Sequence, residues 1–590
     1  GAFAIDTETT GLRVVQGHDE LAGICLAISP EQGCYIPVKC RTGETILKLD
    51  YVLDTLAPLF EDKTLLKVGH NLAFDIGVLK TYGIELVNYD DTMLMSYALE
   101  GQKDLARGHG FDALVKHYFG KETIRFDDVV ITELGMKDFA DVPLLNACAY
   151  ASEDARETLR LHYELFDRLD AEWTDADTVA EPGAVAGNLF GTYHVIDRPL
   201  ARVTADMQYQ GVKVDVERLG ELDQEFKAKL DRLEDEIFDI AGYEFNVASN
   251  KELQRVLFED LKLPVLKETD SGEASTAKDV LENLRGKHEI IEPLLDHSQF
   301  STLVSLCTSN YPNHVSPHTG RMHGSFRVTS TNTRRLSGGD PNLQNIPTRT
   351  KEGKEIRECF ISEYRNKLVI QDMSQIEYRL LAHVCGSKLM RDAFIDGKDF
   401  HQAAADRLGV ERSAAKNINF AMIYGAGPRK IAAMCKLPEK EAYRILDDYA
   451  GEYPEVQKWK NEVIRYARQH GYVETLFGSR IYVPFIKCSD KAMQSYGERQ
   501  AVNGVIQGTA ADMMRLAMPK VHSKLRKFKS AKLLLSVHDE LGAECRDEDA
   551  EDVKDMMKLT IETCADKYIK WSIPIKSEGG IGDSWGTAKS

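Results

Sequence analysis

The chain has 590 residues, of which 43% are hydrophobic and 28% are charged, a composition ordinary for a soluble, well-packed protein. This length is too great for one hydrophobic core and predicts about three to five domains. The formal net charge of −19 does not exclude a nucleic-acid partner, because such binding depends on where the positive charge lies.

Membrane insertion and a disulfide framework are both disfavoured. No apolar run approaches the roughly 20 residues of a bilayer span, and the N-terminus lacks a signal pattern. The 11 cysteines are scattered singly without a C-x-x-C pair, which also argues against structural zinc. We therefore expect a soluble protein with no membrane partner in a reducing intracellular compartment. The sequence does not distinguish a bacterial cytoplasm, a phage-infected cell and an organelle matrix.

The opening segment predicts a compact α/β domain. Strand-like residues 2–6 and 21–29 alternate with helical residues 50–60 and 144–169. Residues 173–187 are polar, acidic and interrupted by Gly and Pro, which predicts a linker after this domain.

Four carboxylates of this domain have the arrangement that a divalent metal site needs. Asp6 and Glu8 lie two apart on a predicted strand, so their side chains point to the same face. Asp75 and Asp154 each follow a polar residue by one helical turn, and for Asp154 that residue is Tyr150. Such carboxylates can hold two Mg²⁺ ions for phosphodiester hydrolysis, with Tyr150 orienting the attacking water. A solvated strand end is the structural alternative for the first two acids.

The middle of the chain predicts a helical arm and a basic stretch. Residues 214–240 are charged with apolar residues at helical spacing, which predicts a long exposed helix with one apolar face. Residues 319–357 hold eight Lys or Arg against three acids, with interleaved polar residues that suit phosphate oxygens and base edges. A solvated basic loop is the alternative interpretation.

Farther downstream, a predicted strand over residues 367–371 ends at Asp372. Residues 374–377 then form an S-x-x-E tetrad, which predicts a capping box at the start of a helix. Glu377 therefore has two possible roles, because it can satisfy the backbone of Ser374 or crowd an incoming ribose.

A second downstream aspartate lies at a predicted hairpin tip. Residues 531–537 and 541–545 are short apolar runs on either side of His538-Asp539-Glu540. A two-metal centre for phosphoryl transfer requires Asp372 and Asp539 to meet in space, and a simple polar turn is the alternative.

Between these two aspartates lies a stripe of basic and aromatic residues. Arg412, Lys416, Phe420 and Tyr424 recur every four residues on a predicted helix that ends at residues 425–428. The two cations suit polyphosphate oxygens, and the two rings offer flat faces to a base or a sugar. An amphipathic helix packed on a core is the alternative.

These motifs resemble two known families. The order D-x-E at residues 6–8, N-x-x-x-D at 71–75 and Y-x-x-x-D at 150–154 resembles the 3′–5′ proofreading exonuclease domain of the DnaQ-like superfamily. Residues 372–379, the R-x-x-x-K-x-x-x-F-x-x-x-Y-G helix and residues 537–540 are similar to motifs A, B and C of family A DNA polymerases, especially the Klenow-type part of DNA polymerase I.

The resemblance implies a multidomain α/β and α+β fold, in which an RNase H-like exonuclease domain precedes a right-hand polymerase domain. The implied boundaries are an exonuclease domain at 1–168, a linker at 169–198, the thumb and start of the polymerase domain at 199–320, the first part of the palm at 321–400, the fingers at 401–475 and the second part of the palm at 476–590.

The implied activity is template-directed addition of dNTPs to a primer 3′ end by two-metal phosphoryl transfer, with 3′–5′ proofreading. Primer-template DNA would be the partner, a processivity factor or helicase is left unassigned, and each centre would hold two Mg²⁺, with Mn²⁺ as a possible substitute. The implied metal ligands are Asp372, the Met373 carbonyl and Asp539 downstream, with Glu540 close by, and Asp6, Glu8, Asp75 and Asp154 upstream. The implied nucleotide contacts are Gln375, Glu377, His401, Arg412, Lys416, Phe420 and Tyr424. The implied DNA contacts are Arg335, Gln344, Asn345, Arg499, Asn503, Gln507 and His538.

The chain departs from the family pattern at several positions. Met373 stands where members commonly carry Tyr, and Tyr378 stands where they carry Leu. At position 420 the chain carries Phe rather than Tyr, as do members of the family that discriminate strongly against dideoxynucleotides. Nothing resembles the 5′ nuclease domain of bacterial members, so we expect a chain without that activity.

Two alternatives come from other functional classes. A nuclease with a polymerase-like DNA clamp predicts loss of Asp372 or Asp539, and both are present. A single-subunit RNA polymerase is disfavoured by Glu377 and by the exonuclease motifs.

Overall fold

The structure is a computed structural model, which describes all residues except 105, 173–187, 270, 349, 398–401, 403, 407–408, 424, 426, 436 and 590. The predicted linker segment 173–187 and the candidates His401 and Tyr424 thus lie outside the described residues, as does the side chain of Phe420. Among the helices in the described ranges, none is long and apolar enough to cross a membrane.

The N-terminal unit is built on a mixed sheet with the strand order β3-β2-β1-β4-β5. Its strands are β1 Ala2–Thr9, β2 Leu21–Ser29, β3 Gln32–Pro37, β4 Leu66–Gly69 and β5 Tyr89–Asp91. Its helices are α1 Leu49–Phe60, α2 Ala73–Thr81, α3 Thr92–Glu100, α4 Phe111–Phe119, α5 Phe126–Val129 and α6 Leu144–Ala171. The central strand β1 is antiparallel to β2 and parallel to β4, and α6 packs against β1, β2 and β3. The predicted α/β domain is therefore confirmed.

The next unit contains the predicted arm. Its elements are α7 Leu189–Thr192, a π-helical turn Tyr193–Asp197, α8 Arg198–Gln210, β6 Val212–Val214, α9 Val216–Ala241, α10 Asn250–Gln254, α11 Lys278–Asn283 and α12 Ile291–Leu303. The long helix α9 confirms the prediction for residues 214–240. Leu219, Leu222 and Phe226 are buried on its apolar stripe together with Leu233 and Ile237. Both ends of the predicted linker 169–198 are helical, since α6 reaches Ala171 and α7 begins at Leu189.

The first part of the predicted palm follows in sequence. Its elements are β7 Arg321–Met322, β8 Ser325–Arg327, β9 Ser337–Gly339, α13 Lys351–Glu358, β10 Phe360–Ile361, β11 Asn366–Met373, α14 Ile376–Cys385 and α15 Lys388–Ile395. Along β11, Leu368 and Ile370 join one apolar cluster while Val369 joins another. This alternation buries both faces of the strand, as expected for a strand in the middle of a sheet.

The remaining elements form a helical subdomain and the rest of the predicted palm. They are α16 Arg412–Ile423, α17 Pro428–Cys435, α18 Glu439–Glu452, α19 Pro454–His470, β12 Tyr472–Glu474, β13 Arg480–Tyr482, α20 Lys491–Leu525, β14 Lys532–Val537, β15 Glu540–Arg546, α21 Ala550–Thr563, β16 Ser577–Gly582 and α22 Trp585–Ala588. The palm sheet has the order β14-β15-β11-β16 and is antiparallel throughout. The predicted hairpin over residues 531–545 is therefore confirmed as β14 and β15.

A buried charge cluster joins the π-helical turn Tyr193–Asp197 to the predicted palm, beside the N-terminal unit. Arg334 donates through Nε to Asp512 (2.6 Å) and through Nη2 to Asp197 (2.7 Å). Arg515 donates to Asp197 (2.6 Å) and to the carbonyl of Arg334 (2.6 Å). All four side chains are at most 3% exposed. Two positive and two negative charges thus balance one another away from water.

Tyr97, on α3 of the N-terminal unit, completes this junction. Both guanidinium carbons, of Arg334 and Arg515, lie 5.3 Å from the centre of its ring. Its hydroxyl donates to the carbonyl of Thr331 at 2.9 Å. Arg334 has a φ of 63°, an unusual backbone conformation for a residue with a side chain. The cluster stabilises that conformation and thereby sets the direction of the next residue, Arg335.

Replacing one partner of this cluster should cost far more stability than breaking a surface ion pair. Arg515→Met leaves Asp197 buried with one cation fewer, so we expect the free energy of unfolding to fall by about 3–5 kcal/mol. Arg429→Met is the matched control, because Arg429 is 89% exposed and pairs with Glu439 on the surface; its expected loss is about 0–1 kcal/mol. Urea unfolding followed by circular dichroism measures both, and equal losses would contradict a stabilising role for the cluster.

Candidate active sites

The upstream acids converge at one end of the N-terminal sheet. β1 carries Asp6 and Glu8, α2 supplies Asp75 in its first turn, and α6 supplies Asp154. Asp75 accepts hydrogen bonds from the backbone N–H (2.9 Å) and the hydroxyl (2.6 Å) of Thr7, which ties α2 to β1. The Tyr150 hydroxyl hydrogen-bonds to Asp154 one turn away. The structure therefore brings together all five residues predicted for this site.

The electrostatics of this cluster are those of carboxylates short of positive charge. Burial raises the pKa of Asp6 to about 6. Burial, followed by repulsion from the neighbouring acids, raises the pKa of Glu8 well above its usual value, and Asp75 and Asp154 shift in the same direction. Among the described residues, no Lys or Arg forms an ion pair with any of the four. A set of hard oxygen donors with this excess of negative charge fits a divalent metal ion.

Cys25 is a neighbour that the sequence did not reveal. It is fully buried on β2, where the sheet register places it opposite Asp6. Potential ligand atoms of Asp6, Glu8 and Cys25 all lie within 4.8 Å of one another. Burial raises the pKa of this thiol well above its usual range, so Cys25 is a neutral partner of Glu8. Only knowledge of the β1–β2 register would have identified it.

The shifted pKa of Glu8 predicts how metal-free stability responds to pH. A raised carboxyl pKa contributes stability that is fully present below the unfolded value of 4.5 and is lost as pH rises through the folded value. Glu8→Gln removes the charge at constant shape, so at pH 8 in EDTA it should raise the free energy of unfolding by on the order of 1 kcal/mol. The gain should disappear near pH 4.5.

Thermal melting at both pH values tests this expectation. Glu289→Gln, at an exposed acid remote from the cluster, is the control and should change neither melt. If the Glu8→Gln protein and the wild type were equally stable at pH 8, the charge repulsion inferred for the cluster would be refuted.

The downstream aspartates meet at the edge of the palm sheet. Asp372, near the end of β11, pairs across the sheet with Glu540, the first residue of β15. The next backbone N–H, that of Met373, donates to the carbonyl of Asp539 at 3.0 Å. The proximity that a polymerising centre requires is therefore present, although 167 positions, 372 to 539, separate the two residues in sequence.

Each downstream carboxylate has a cationic neighbour. Arg335 donates to Glu377 (2.9 Å) and to Asp539 (3.3 Å). Lys589 donates to Asp372 at 2.9 Å and also contacts Glu540. Burial raises the pKa of Asp372 in spite of the opposing charge of Lys589. The carboxylate oxygens of Asp372 and Asp539, which the backbone brings close together, fit divalent metal ions here as well.

The predicted capping box at residues 374–377 is wrong. Helix α14 begins at Ile376, after Gln375 in a left-handed conformation (φ 50°). The Ser374 hydroxyl instead donates to Glu578 at 2.9 Å on β16. Glu377 is 8% exposed and its carboxylate accepts from Arg335. A tertiary contact with Arg335 has replaced the local one, so Glu377 does not act as a simple helix cap.

The predicted DNA contacts lie on two elements and one turn. Arg499, Asn503 and Gln507 follow one another at helical spacing on α20. A Cβ added at Gly425, just after α16, would lie 3.1 Å from Arg499, so the end of the basic helix approaches α20. Gln344 donates to the carbonyl of Leu336 at 2.9 Å. The remaining candidates, Asn345 and His538, lie in a short 3₁₀ helix and at the exposed hairpin tip.

The predicted nucleotide helix forms as α16. Arg412 is exposed and Lys416 is half-buried one turn later. The structure thus keeps the two cations on one face of the helix.

The basic stretch 319–357 is not an open patch of positive charge. Arg321 pairs with Glu363 (2.9 Å) and Glu544 (2.8 Å), and Arg357 is buried against Trp585. Together with Arg334 and Arg335, these side chains hold elements of the palm together. The interpretation as a free phosphate-binding surface is therefore corrected for Arg321, Arg334 and Arg357, while Arg349 lies outside the described part of the chain.

Comparison with known proteins agrees with this geometry. Residues 216–587 match the family model of DNA polymerase family A, and residues 1–170 match that of a 3′–5′ exonuclease. The chain belongs to DNA polymerase family A. The expected order, an exonuclease domain followed by a polymerase domain, is confirmed. Polymerases and exonuclease domains of this kind depend on divalent metal ions, in agreement with the two carboxylate clusters.

Relatives extend the similarity over nearly the whole chain. DNA polymerase I of Pseudomonas aeruginosa is 36% identical across 99% of this chain and 63% of its own length. The thermostable DNA polymerase I of Thermus thermophilus is 37% identical across 93% of this chain and 61% of its own length. The chain thus spans about three fifths of these relatives. The solved POL domain of Pol1 from M. smegmatis, in complex with DNA primer-template and dNTP, superposes with a TM-score of 0.81 at 26% identity and covers 100% of this chain and 96% of that one.

Proposed function

We propose that this chain is a template-directed DNA polymerase that also removes nucleotides from the 3′ end of the strand it extends. The observation that carries the proposal is the convergence of Asp372, Asp539 and Glu540 inside the family A region. The upstream acid cluster, inside the exonuclease match, supports the second activity. The substrates are primer-template DNA and dNTPs, the ligands named for the M. smegmatis structure.

In the polymerase centre, Asp372, Asp539 and the Met373 carbonyl would hold two Mg²⁺ ions, with Mn²⁺ able to substitute. Such ions, when bound, neutralise charge on the triphosphate and favour deprotonation of the primer hydroxyl. Asp372 lies on a central strand and Asp539 at a tight turn, so the backbone holds both carboxylates in place without a large loss of side-chain freedom. Arg335 orients Asp539 by its hydrogen bond.

The incoming nucleotide meets the helix α16 and the start of α14. Arg412 and Lys416 would neutralise charge on the triphosphate. The likeness to the family motifs gives further nucleotide contacts to His401, Phe420, Tyr424 and Gln375. Glu377, a buried carboxylate held by Arg335, would crowd a ribose 2′-hydroxyl. Arg335, Gln344, Asn345, Arg499, Asn503, Gln507 and His538 contact the primer-template.

In the exonuclease centre, Asp6, Glu8, Asp75 and Asp154 would hold the metal ions for hydrolysis. Tyr150, hydrogen-bonded to Asp154, orients the attacking water at the edge of the cluster. Separation of the two acid clusters on different sheets supports two independent activities.

We further propose that the protein acts inside a reducing compartment. Ten cysteines in the described part of the chain are free thiols, and several of them are buried, among them Cys25, Cys359 and Cys545. An oxidising environment offers such a chain no stabilisation.

Reciprocal substitutions separate the two activities. Asp539→Asn should reduce primer extension by about 10³-fold or more, because a carboxylate needed for metal binding is lost, while degradation of single-stranded DNA continues. The double change Asp6→Ala with Glu8→Ala should have the opposite effect. A labelled primer with a mismatched 3′ end, incubated with and without dNTPs, reports both activities on one gel. Extension by the Asp539→Asn protein at the wild-type rate would remove the proposal.

Glu377→Ala should relax sugar selection. With the carboxylate gone, the space beside the nucleotide admits a 2′-hydroxyl, and we expect the preference for dNTP over rNTP to fall roughly 10-fold or more. Glu377→Gln keeps the volume and is the matched control, expected to retain most of the preference. Single-nucleotide extension kinetics measure the ratio of kcat/KM values. Unchanged discrimination in the alanine protein would show that Glu377 serves only to hold Arg335.

A further inference from the structure

The last helix of the chain is anchored beside the polymerase centre. Trp585 is fully buried on α22, with its ring 5.6 Å from that of Phe360 and the guanidinium of Arg357 4.1 Å above it. Ser584 and Thr587 cap this helix reciprocally through a capping box. The short helix therefore has a defined position, which it could not keep by its own propensity.

Glycines of β16 let α22 lie directly on the palm sheet. A Cβ added at Gly580 would come within 2.7 Å of the Ala588 carbonyl, and one at Gly582 within 2.5 Å of the Ala588 nitrogen. Because these approaches are closer than real Cβ contacts allow, the close packing depends on both glycines. The residue that follows, Lys589, is consequently directed at the carboxylates of the centre.

Lys589 and Trp585 together engage both oxygens of Glu540. The indole N–H of Trp585 donates to Oε1 at 2.6 Å, and the ammonium of Lys589 contacts Oε2. The same ammonium lies 2.9 Å from Oδ2 of Asp372. Glu540 is only 3% exposed, so its contacts are not those of a solvated surface ion pair.

We propose that Lys589 is a built-in counter-ion of the polymerase centre, which positions Asp372 and Glu540 and weakens the binding of divalent metal there. Its ammonium occupies Oδ2 of Asp372, one of the two oxygens of this proposed metal ligand, so an entering divalent ion competes with it or is repelled by it at short range. Glu540, held on both oxygens, acts as a fixed negative charge behind the metal ligands and does not bind metal directly. This inference rests on the proposed polymerase function.

Metal binding measured without turnover tests the proposal. Mn²⁺ is titrated into the full chain carrying Asp6→Ala and Glu8→Ala, so that the exonuclease centre does not contribute, and free Mn²⁺ is followed by electron paramagnetic resonance without DNA or dNTP. Lys589→Met should lower the dissociation constant at the polymerase centre by about fivefold or more, since a neighbouring positive charge is removed. Lys589→Arg should bind as the parent does.

A matched control separates this effect from overall charge. Lys558→Met removes the same charge from an exposed position on α21 and should leave Mn²⁺ binding unchanged. A chain ending at Ala588 removes Lys589 while keeping Trp585 and should reproduce Lys589→Met, which guards against misfolding of the substituted protein. Unchanged or weaker Mn²⁺ binding in both the Lys589→Met protein and the chain ending at Ala588 would overturn the proposal. If primer extension by the otherwise unsubstituted chain still requires Asp539 in that case, the proposed function stands without this inference.

Discussion

The antiparallel pairing of β11 with β15 is the interaction on which the polymerase centre depends. It sets Asp372 opposite Glu540, and the hairpin turn then brings Asp539 to the backbone of Met373. A slip of one residue would turn Asp372 to the opposite face of the sheet, where Gln371 is buried and bonded to Ser577. Such a slip would also remove Leu368 and Ile370 from one close-packed apolar cluster and Val369 from the other, so the packing of the core determines the geometry of the site.

The two acid clusters balance their charge in different ways. In the upstream cluster the carboxylates have no Lys or Arg ion-pair partner among the described residues, and burial and mutual repulsion raise the pKa values of Glu8 and Asp75, which favours proton uptake when metal is absent. In the downstream cluster Arg335 and Lys589 neutralise them instead. Protons leave a carboxylate readily, whereas an anchored ammonium remains nearby. The two centres should therefore differ in how metal binding depends on pH and on neighbouring side chains.

Periodicity and local motifs predicted much of this fold. The apolar spacing of α9, the hairpin of β14 and β15, and the order of the acid motifs all depend on residues near one another in sequence. The capping box at Ser374 failed because a contact with Arg335, across the fold, outweighed the local one. Cys25 and Lys589 could not be assigned for the same reason, since only strand register and helix docking bring them to the acids.

The cluster of Arg334, Arg515, Asp197 and Asp512 has a consequence for how the two centres communicate. Tyr97, on α3 of the N-terminal unit, packs its ring against the guanidinium groups of Arg334 and Arg515, and its hydroxyl donates to the carbonyl of Thr331, so moving that unit away would uncover two buried cations. These contacts favour one arrangement of the N-terminal unit relative to the predicted palm. Under the proposed function, a mispaired primer terminus would have to melt from its template to reach the upstream acids, so the stability of its last base pairs would govern the choice between extension and excision.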